Sequence, residues 1–385
     1  LFVLHPVQWE AVSNVSGRSI LLCAVFFLSS FICYAKFSEK KKSFLWYGAS
    51  LDFFILALLS KETALTLPFL LFSFEIYRSA NEEKKSYGKI ARNLLPFGIV
   101  VLCYFWLRKG LAIGLVELWN TPKELFLGVA TFLRGMLSYL RILFVPYDLH
   151  YGRAIKYFDS ILDPQLLMSV GVFVLILVLL LKQKKLIGQR TLFLLSWCFL
   201  TVLPLMQIVP LKVQWGYAAL GEHLLYLPSV GLFALIILGF NKIFHYFHQK
   251  KIADKSVTRL AGITFYVLFF LITSQQNMLV AQEMSVFRQA LTYQPQAVRV
   301  RNAYALELVK QRKFVEAEEQ LRILLIFEPG NLAARMNLGK TLCEQGRFEE
   351  GLEQYRLIPP IGPFKALAEY NIESAVKQLQ RSLKK

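Results

Sequence analysis

The sequence contains no Cys-x-x-Cys pair and no His-Glu-x-x-His run, so the spacings that build common metal sites are missing. Its five cysteines are an odd number. Cys23, Cys33, Cys103 and Cys198 fall inside apolar runs and Cys343 lies in the tail, which suits neither a disulfide framework nor a metal centre. Charge is scarce as well. Charged residues make up 18% of the chain against 55% hydrophobic, and a soluble protein of 385 residues would need far more polar surface. No basic start with a cleavage site marks a signal peptide. The opening Leu1-Phe-Val-Leu-His5-Pro6 reads instead as the end of an apolar helix running into a loop, and leads us to expect a fragment with at least one membrane segment upstream.

What the chain has in excess is basic charge, with a formal net charge of +18. The bases cluster in short loops between apolar runs, which argues against nucleic acid as a partner and for a membrane protein that uses them to set orientation. Segments near 17–35, 44–60, 65–79, 93–108, 165–182, 191–209, 223–241 and 259–277 are long and apolar enough to be spanning helices, several falling short of the roughly 20 residues a bilayer prefers. One set of loops holds Lys36, Lys40, Lys41, Lys42, then Arg78, Lys84, Lys85, Lys89, Arg92, then Lys182, Lys184, Lys185, Arg190, then Lys242, Lys250, Lys251, Lys255, Arg259. The other set is poorer, with Arg18, Lys61, Arg108, Lys109, Lys123, Arg153, Lys156 and Lys212. The positive-inside rule makes the first set cytoplasmic. Starting outside, eight crossings leave the tail extracytoplasmic, provided that the apolar stretch 124–146 is a re-entrant or interfacial segment. Arg134 and Arg141 within it suit that position, where long basic side chains reach headgroups.

The tail repeats itself. Pro295, Pro329 and Pro363 are 34 residues apart, as are Ala305 and Gly339, Phe314 and Phe348, Ala317 and Gly351, and Leu338 and Ile372. This is the period of a tetratricopeptide repeat (TPR), in which small residues let paired helices approach. Repeats are expected at about 298–331 and 332–365, with Tyr355 and Phe348 filling the groove and a capping helix at 364–383. The expected fold is all-α: a polytopic transmembrane helical bundle over 1–279, then a short extracytoplasmic TPR domain over 280–385.

Polar residues gather in the outer loops: His5, Glu10 and Arg18 in the first, Lys61 and Glu62 in the second, Asp148, His150 and Arg153 in the third, Glu222, His223 and Tyr226 in the fourth. All four loops are expected on one membrane face, at the depth of a lipid phosphate. Lys61 and Arg153 can pair with phosphate, Arg in a bidentate way, and a helix N-terminus beside Lys61 would add backbone donors. Asp52, in mid-helix, is a candidate because intramembrane acids are costly; its structural alternative is a carboxyl bonded within the bundle or to Ser50. His245 and His248 lie in a basic loop and read as solvated, and Asn14-Val-Ser16 is formally a glycosylation triplet.

The run His5-Pro-Val-Gln-Trp-Glu10-Ala-Val-Ser-Asn-Val-Ser-Gly17-Arg18 resembles the HPVHTEAV…VGR loop of the TMTC-type membrane O-mannosyltransferases. Leu59-Ser60-Lys61-Glu62 resembles their LLSKE element, and Glu222-His223-Leu-Leu-Tyr226-Leu-Pro228-Ser229-Val-Gly231 their ER-x-LYLPS-x-G element. The resemblance covers nearly the whole chain and implies a GT-C glycosyltransferase fold. It also implies a polyprenyl-phosphate-linked sugar as donor, membrane lipid as surroundings, and an acceptor protein or peptide met through the TPRs. The catalytic acid it implies would precede Leu1. His223 departs from the family's Arg, and a His would bind phosphate less firmly near neutral pH. The short tail fits a bacterial inner membrane, with the endoplasmic reticulum as the eukaryotic counterpart. A non-enzymatic TPR scaffold that recruits envelope proteins is the alternative. A lipid-linked sugar transporter is a third reading, and would need a continuous polar path across the bundle.

Overall fold

A computed structural model describes residues 2–14, 17–39, 43–80, 87–110, 121–182, 188–205, 217–249, 255–360 and 364–382. Lys40, Lys41, Lys42, Lys84, Lys85, Lys184, Lys185, Lys212, Lys250 and Lys251 lie outside the described residues, as do Ser16, Pro363 and the side chain of His248. Two compact units emerge, one of Leu1–Leu149 with Ile155–Met278, the other of His150–Ala154 with Leu279–Lys385.

In the first unit a 3-10 turn, Pro6–Gln8, leads into α1 (Trp9–Ser13) and α2 (Arg18–Ser38). Next come α3 (Phe44–Ser60), a 3-10 turn at Glu62–Thr66, α4 (Leu67–Ser79), α5 (Tyr87–Gly110) and α6 (Pro122–Phe144). After α7 (Pro164–Lys182) and α8 (Gln189–Val202), the 3-10 turn Glu222–Leu225 opens α9 (Tyr226–Gln249), and α10 (Lys255–Val280) closes the series. Two three-residue strands, Ala154–Lys156 and Tyr217–Ala219, pair with each other. Among the described residues, five helices are long and apolar enough to cross a membrane: Arg18–Ser38, Tyr87–Lys109, Pro122–Phe144, Glu222–Phe247 and Gly262–Val280. Phe44–Ser60 and Pro164–Ile176 are shorter apolar helices.

Inside lipid, helices gain little from burying apolar surface against one another, so small residues and hydrogen bonds draw them together. α2 and α3 show this. Ser30 Oγ donates to the Ser50 carbonyl at 2.6 Å, and Ser50 Oγ donates back to the Ser30 carbonyl at 2.8 Å. Glu75 is a buried carboxylate on α4 and is fully engaged. It accepts from Tyr34 Oη at 2.9 Å, Ser38 Oγ at 3.0 Å and Arg78 Nη2 at 3.1 Å. Between these polar ties, Phe27, Phe54, Phe97 and Trp197 form an aromatic core with Leu67, Leu70 and Leu71. Leu102 and Trp106 of α5 are 70% and 76% exposed; water would penalise such a surface, and hydrocarbon does not.

Three expectations change here. The segment 124–146 is one unbroken helix, α6, which excludes the re-entrant pair and leaves an interfacial helix, or by length and composition a crossing one. Its start is built for a helix, since Thr121 accepts from the Glu124 amide at 3.2 Å and Pro122 takes the first turn. Its arginines are held by protein: Arg141 pairs with Asp148 at 2.5 Å, and Arg134 lies 5.8 Å from the Phe158 ring centre. Asp52 is on the exposed side of α3, while Ser50 pairs with Ser30, so the expected carboxyl–Ser50 bond does not form. The chain after Lys61 enters a five-residue 3-10 turn rather than an α-helix N-terminus, and α4 begins only at Leu67.

The second unit is a stack of short helices. After α11 (Glu283–Tyr293) come α12 (Val298–Lys310) and α13 (Phe314–Phe327), then α14 (Leu332–Glu344), α15 (Phe348–Arg356) and α16 (Lys365–Ser382). Val298 and Leu332 open equivalent helices, as do Phe314 and Phe348, each pair 34 residues apart. Ala305 and Ala317 are fully buried, Leu338 and Tyr355 nearly so, and the Tyr355 ring lies against Gly339. A repeated clasp fixes the stack. Arg301 donates to the Pro295 carbonyl at 2.6 Å and to Gln320, and 34 residues on Arg335 donates to the Pro329 carbonyl at 2.7 Å and to Gln354.

The loop His150–Ala154 belongs to this unit. Gln294 accepts from the Ala154 amide at 3.1 Å and donates to its carbonyl at 2.7 Å, as a neighbouring strand would. His150 stacks on Tyr293, with ring centres 5.4 Å apart.

The turns between paired helices also repeat. Arg312 has φ of 60° and Gly346, at the equivalent place, has φ of +83°. Glycine takes this left-handed backbone freely, whereas an L side chain is crowded there. Arg312→Gly is therefore expected to stabilise the repeat unit by about 1 kcal/mol. Chemical denaturation of the full chain, read from the repeat unit's transition, checks this.

Candidate functional site

The first loop folds onto the start of α9 residue by residue. Gln8 Nε2 donates to Ser229 Oγ at 2.9 Å, and Trp9 Nε1 donates to Glu222 Oε2 at 2.7 Å. The His223 amide donates to Glu10 Oε2 at 3.0 Å, and His223 Nδ1 lies 3.1 Å from Glu10 Oε1. Gln8, Trp9, Glu10 and Glu222 are buried, so each of these bonds forms away from competing water.

Two glycines make the fit possible. A side chain at Gly17 would run into the carbonyl oxygen of Ala11, so the loop can turn back into α2 only with glycine there. A side chain at Gly221 would overlap the His223 imidazole, which occupies that space.

His5 is a peg and not a ligand. Its Nδ1 accepts from the Val7 amide at 3.1 Å, which leaves the proton on Nε2, and Nε2 donates to the Leu143 carbonyl at 2.9 Å. The ring is 1% exposed and packs against Phe233 and Phe269. Burial drives its pKa down to about 4, against the raising effect of the Leu143 bond.

Beside the loop lies a small cleft of about 20 Å3 that is partly open to solvent. Lys61, Thr63, Thr201, His223 and Tyr226 supply its polar groups. Ile20, Leu224, Leu227 and Pro228 supply an apolar wall. Burial pulls the Lys61 ammonium below its ordinary pKa, with Glu62, Cys23 and Glu10 opposing. A cation short of solvent beside an apolar wall suits an amphiphilic anion.

The structure thus brings together Lys61, His223 and Tyr226 in the cleft, with Glu10 behind His223 and Glu222 tied to Trp9. Arg18 and Glu62 are exposed, and neither is among the cleft-lining residues. Arg153 is buried and belongs to the second unit. Sequence reasoning missed Gln8, Trp9, Thr63, Thr201, Gly221 and Ser229. Most of these lie beside or within the quoted motifs, but an indole N–H donor or a glycine that makes room for an imidazole has no signature in residue type.

The fold and the site define the class: an all-α polytopic membrane protein with an anion-suited cleft in its helical bundle. No protein-family model matches the sequence. The chain is similar to Protein O-mannosyl-transferase TMTC3 of Homo sapiens, 23% identical over 370 residues, which make up 89% of this chain and 40% of that protein. The TMTC3 of Mus musculus matches to the same extent. A shorter stretch of 73 residues, 17% of this chain and 10% of the relative, is 44% identical to Protein O-mannosyl-transferase TMTC4 of Homo sapiens. The chain spans about 40% of the length of the TMTC3 proteins it matches.

Proposed function

We propose that the protein is a TMTC-like membrane glycosyltransferase. It takes a mannose-like sugar from a polyprenyl-phosphate donor and passes it to a protein or glycan hydroxyl at the extracytoplasmic face. The observation that carries this reading is the cleft, where Lys61 and His223 stand beside an apolar wall. That pairing suits a phosphate joined to an isoprenoid chain. The similarity to the two O-mannosyl-transferases supports the sugar and the reaction class.

In such a transfer the acceptor oxygen bonds to the anomeric carbon as the bond from that carbon to the phosphate oxygen breaks. The phosphate leaves with the electron pair, and the hydroxyl proton passes to a general base. Lys61 holds the phosphate as it leaves. The helical-repeat unit, read as two TPR units with a capping helix, presents the acceptor polypeptide on the same side of the membrane.

Lys61→Met in the full-length protein, which keeps the stem and removes the charge, is expected to lower transfer from polyprenyl-phosphate mannose by roughly ten-fold or more, the value of a charged hydrogen bond. Transfer at the wild-type rate would remove Lys61 from the site.

A further inference from the structure

We propose that the helical-repeat unit takes its polypeptide partner as an extended, unfolded segment, gripped through the partner's backbone by a row of three asparagines, Asn302, Asn337 and Asn371. This names the kind of acceptor involved, and it rests on the reading of the repeat unit as the part that presents the acceptor.

Each of the three stands inside a helix, Asn302 in α12, Asn337 in α14 and Asn371 in α16. None caps a helix end. Asn331 does, accepting from the Ala334 amide at 2.9 Å where α14 begins. Asparagine is a poor residue for a helix interior, because its side chain competes for backbone hydrogen bonds. Its recurrence in the middle of three neighbouring helices therefore serves something other than the helices themselves. The contacts recur too. Asn337 Nδ2 donates to Asn302 Oδ1 at 2.9 Å, and 34 residues on Asn371 Nδ2 donates to Met336 Sδ at 3.1 Å. Both bonds reach back 35 residues, so the repeat sets the two amides in the same orientation. Each nitrogen is turned toward the preceding helix. Among the described residues, the Asn337 and Asn371 oxygens and the Asn302 nitrogen have no hydrogen-bond partner, and all three side chains are only half-buried, within reach of a ligand.

The spacing suits a polypeptide backbone. Packed helices lie about 8 to 10 Å apart. Three residues of extended chain cover about 9 to 10 Å. A row with one amide per helix therefore meets a peptide group at every third residue of a chain running across α12, α14 and α16. The asparagine oxygens accept from the partner's N–H groups, and the Asn302 nitrogen donates to a carbonyl. Leu306, four residues after Asn302, and Leu367, four before Asn371, share the helix faces of these asparagines and are exposed, so they add apolar contact along the same line.

The chemistry selects the partner. A folded domain uses its backbone N–H and C=O groups in its own helices and sheets and has few to offer. An extended segment offers all of them. Bonds to the backbone ignore side-chain identity, so the row accepts many sequences and leaves Ser and Thr hydroxyls free to react.

The test uses full-length protein in phosphatidylcholine nanodiscs and a capped, fluorescent peptide of repeating Ala-Thr-Ser as probe. An analogue with esters in place of its central amides removes the N–H donors and keeps the shape. Wild type is expected to bind the ester analogue roughly ten-fold more weakly than the peptide, the loss of about two hydrogen bonds. The double variant Asn337→Ala, Asn371→Ala should bind both probes alike, roughly ten-fold below wild type with the peptide. A peptide of the same composition in scrambled order should bind wild type as well as the original. Hydrogen exchange over α14 and α16 checks that the variant stays folded, and the ester analogue probes the same bonds on unaltered protein. Equal binding of peptide and ester by wild type, wild-type affinity in the double variant, loss of binding on scrambling, or no binding at all each overturns the row. Transfer from polyprenyl-phosphate mannose that is lost in Lys61→Met and untouched in the double variant overturns the row and leaves the proposed function standing. Peptide binding through the row with no transfer by wild type overturns the proposed function and leaves the row standing.

Discussion

Acidification from about pH 6.5 to about pH 4 is expected to cost the protein about 3 kcal/mol of stability through His5 alone. The sign follows from which state binds the proton first. An exposed histidine in the unfolded chain titrates near its ordinary value of 6.5, whereas burial holds the folded His5 down to about 4. Above that window neither state carries the proton and the stability is complete. Within it the unfolded chain is protonated and the folded one is not, so stability falls as pH falls.

The cause is geometric. Nδ1 is closed by the Val7 amide, so a proton arriving there would break a buried bond, and Phe233 and Phe269 cannot solvate the charge. Melting temperature in detergent across this range checks the prediction against His5→Gln, which stays neutral throughout. The variant is expected to be less stable at neutral pH, because the tie to Leu143 is weakened, and to lose the wild-type slope. Equal slopes in the two proteins would show that another group carries the acid sensitivity.

Gly351→Val is expected to unseat α15 from α14, with a loss of about 3 kcal/mol or more from the repeat unit. A β-carbon there would lie 2.9 Å from the Gly339 carbonyl oxygen and press on Cys343 Sγ. The backbone oxygen cannot rotate away, so the helices must separate. Gly339 faces the same crossing from the other side, where a β-carbon would sit 2.6 Å from the Tyr355 ring. Separation would also uncover Leu338, Leu342 and Tyr355, all nearly buried. Gly330→Ala is the control, since a β-carbon there meets nothing within 4 Å. Hydrogen exchange over α14 and α15 separates the two variants. Equal protection in both would mean that the close crossing is not what holds the repeat.

The positions of the helices and the 34-residue period could be read from the sequence because both are local. An apolar run long enough for lipid becomes a helix whatever its neighbours, since its backbone must bond to itself. Small residues recurring with Ala305, Ala317, Gly339 and Gly351 mark where short helices must come close. The motifs around His5, Lys61 and Glu222 are also legible in sequence, and the fold packs the first of them against the third.

What those residues do was decided by tertiary structure. His5 and His223 both lie in loops beside helix starts, and nothing in the letter distinguishes them. Packing makes one a neutral peg under the loop and sets the other in the cleft wall, because an amide reaches Nδ1 in the first and a carboxylate reaches it in the second. Arg153 lies between apolar-helix segments in the sequence, yet the chain fold groups it with the repeat unit. The contact between Glu10 and His223 joins residues 213 positions apart. Hydrophobic periodicity has no memory over that length, so the chemistry of the cleft depends on side chains that only the folded chain brings within a hydrogen bond of each other.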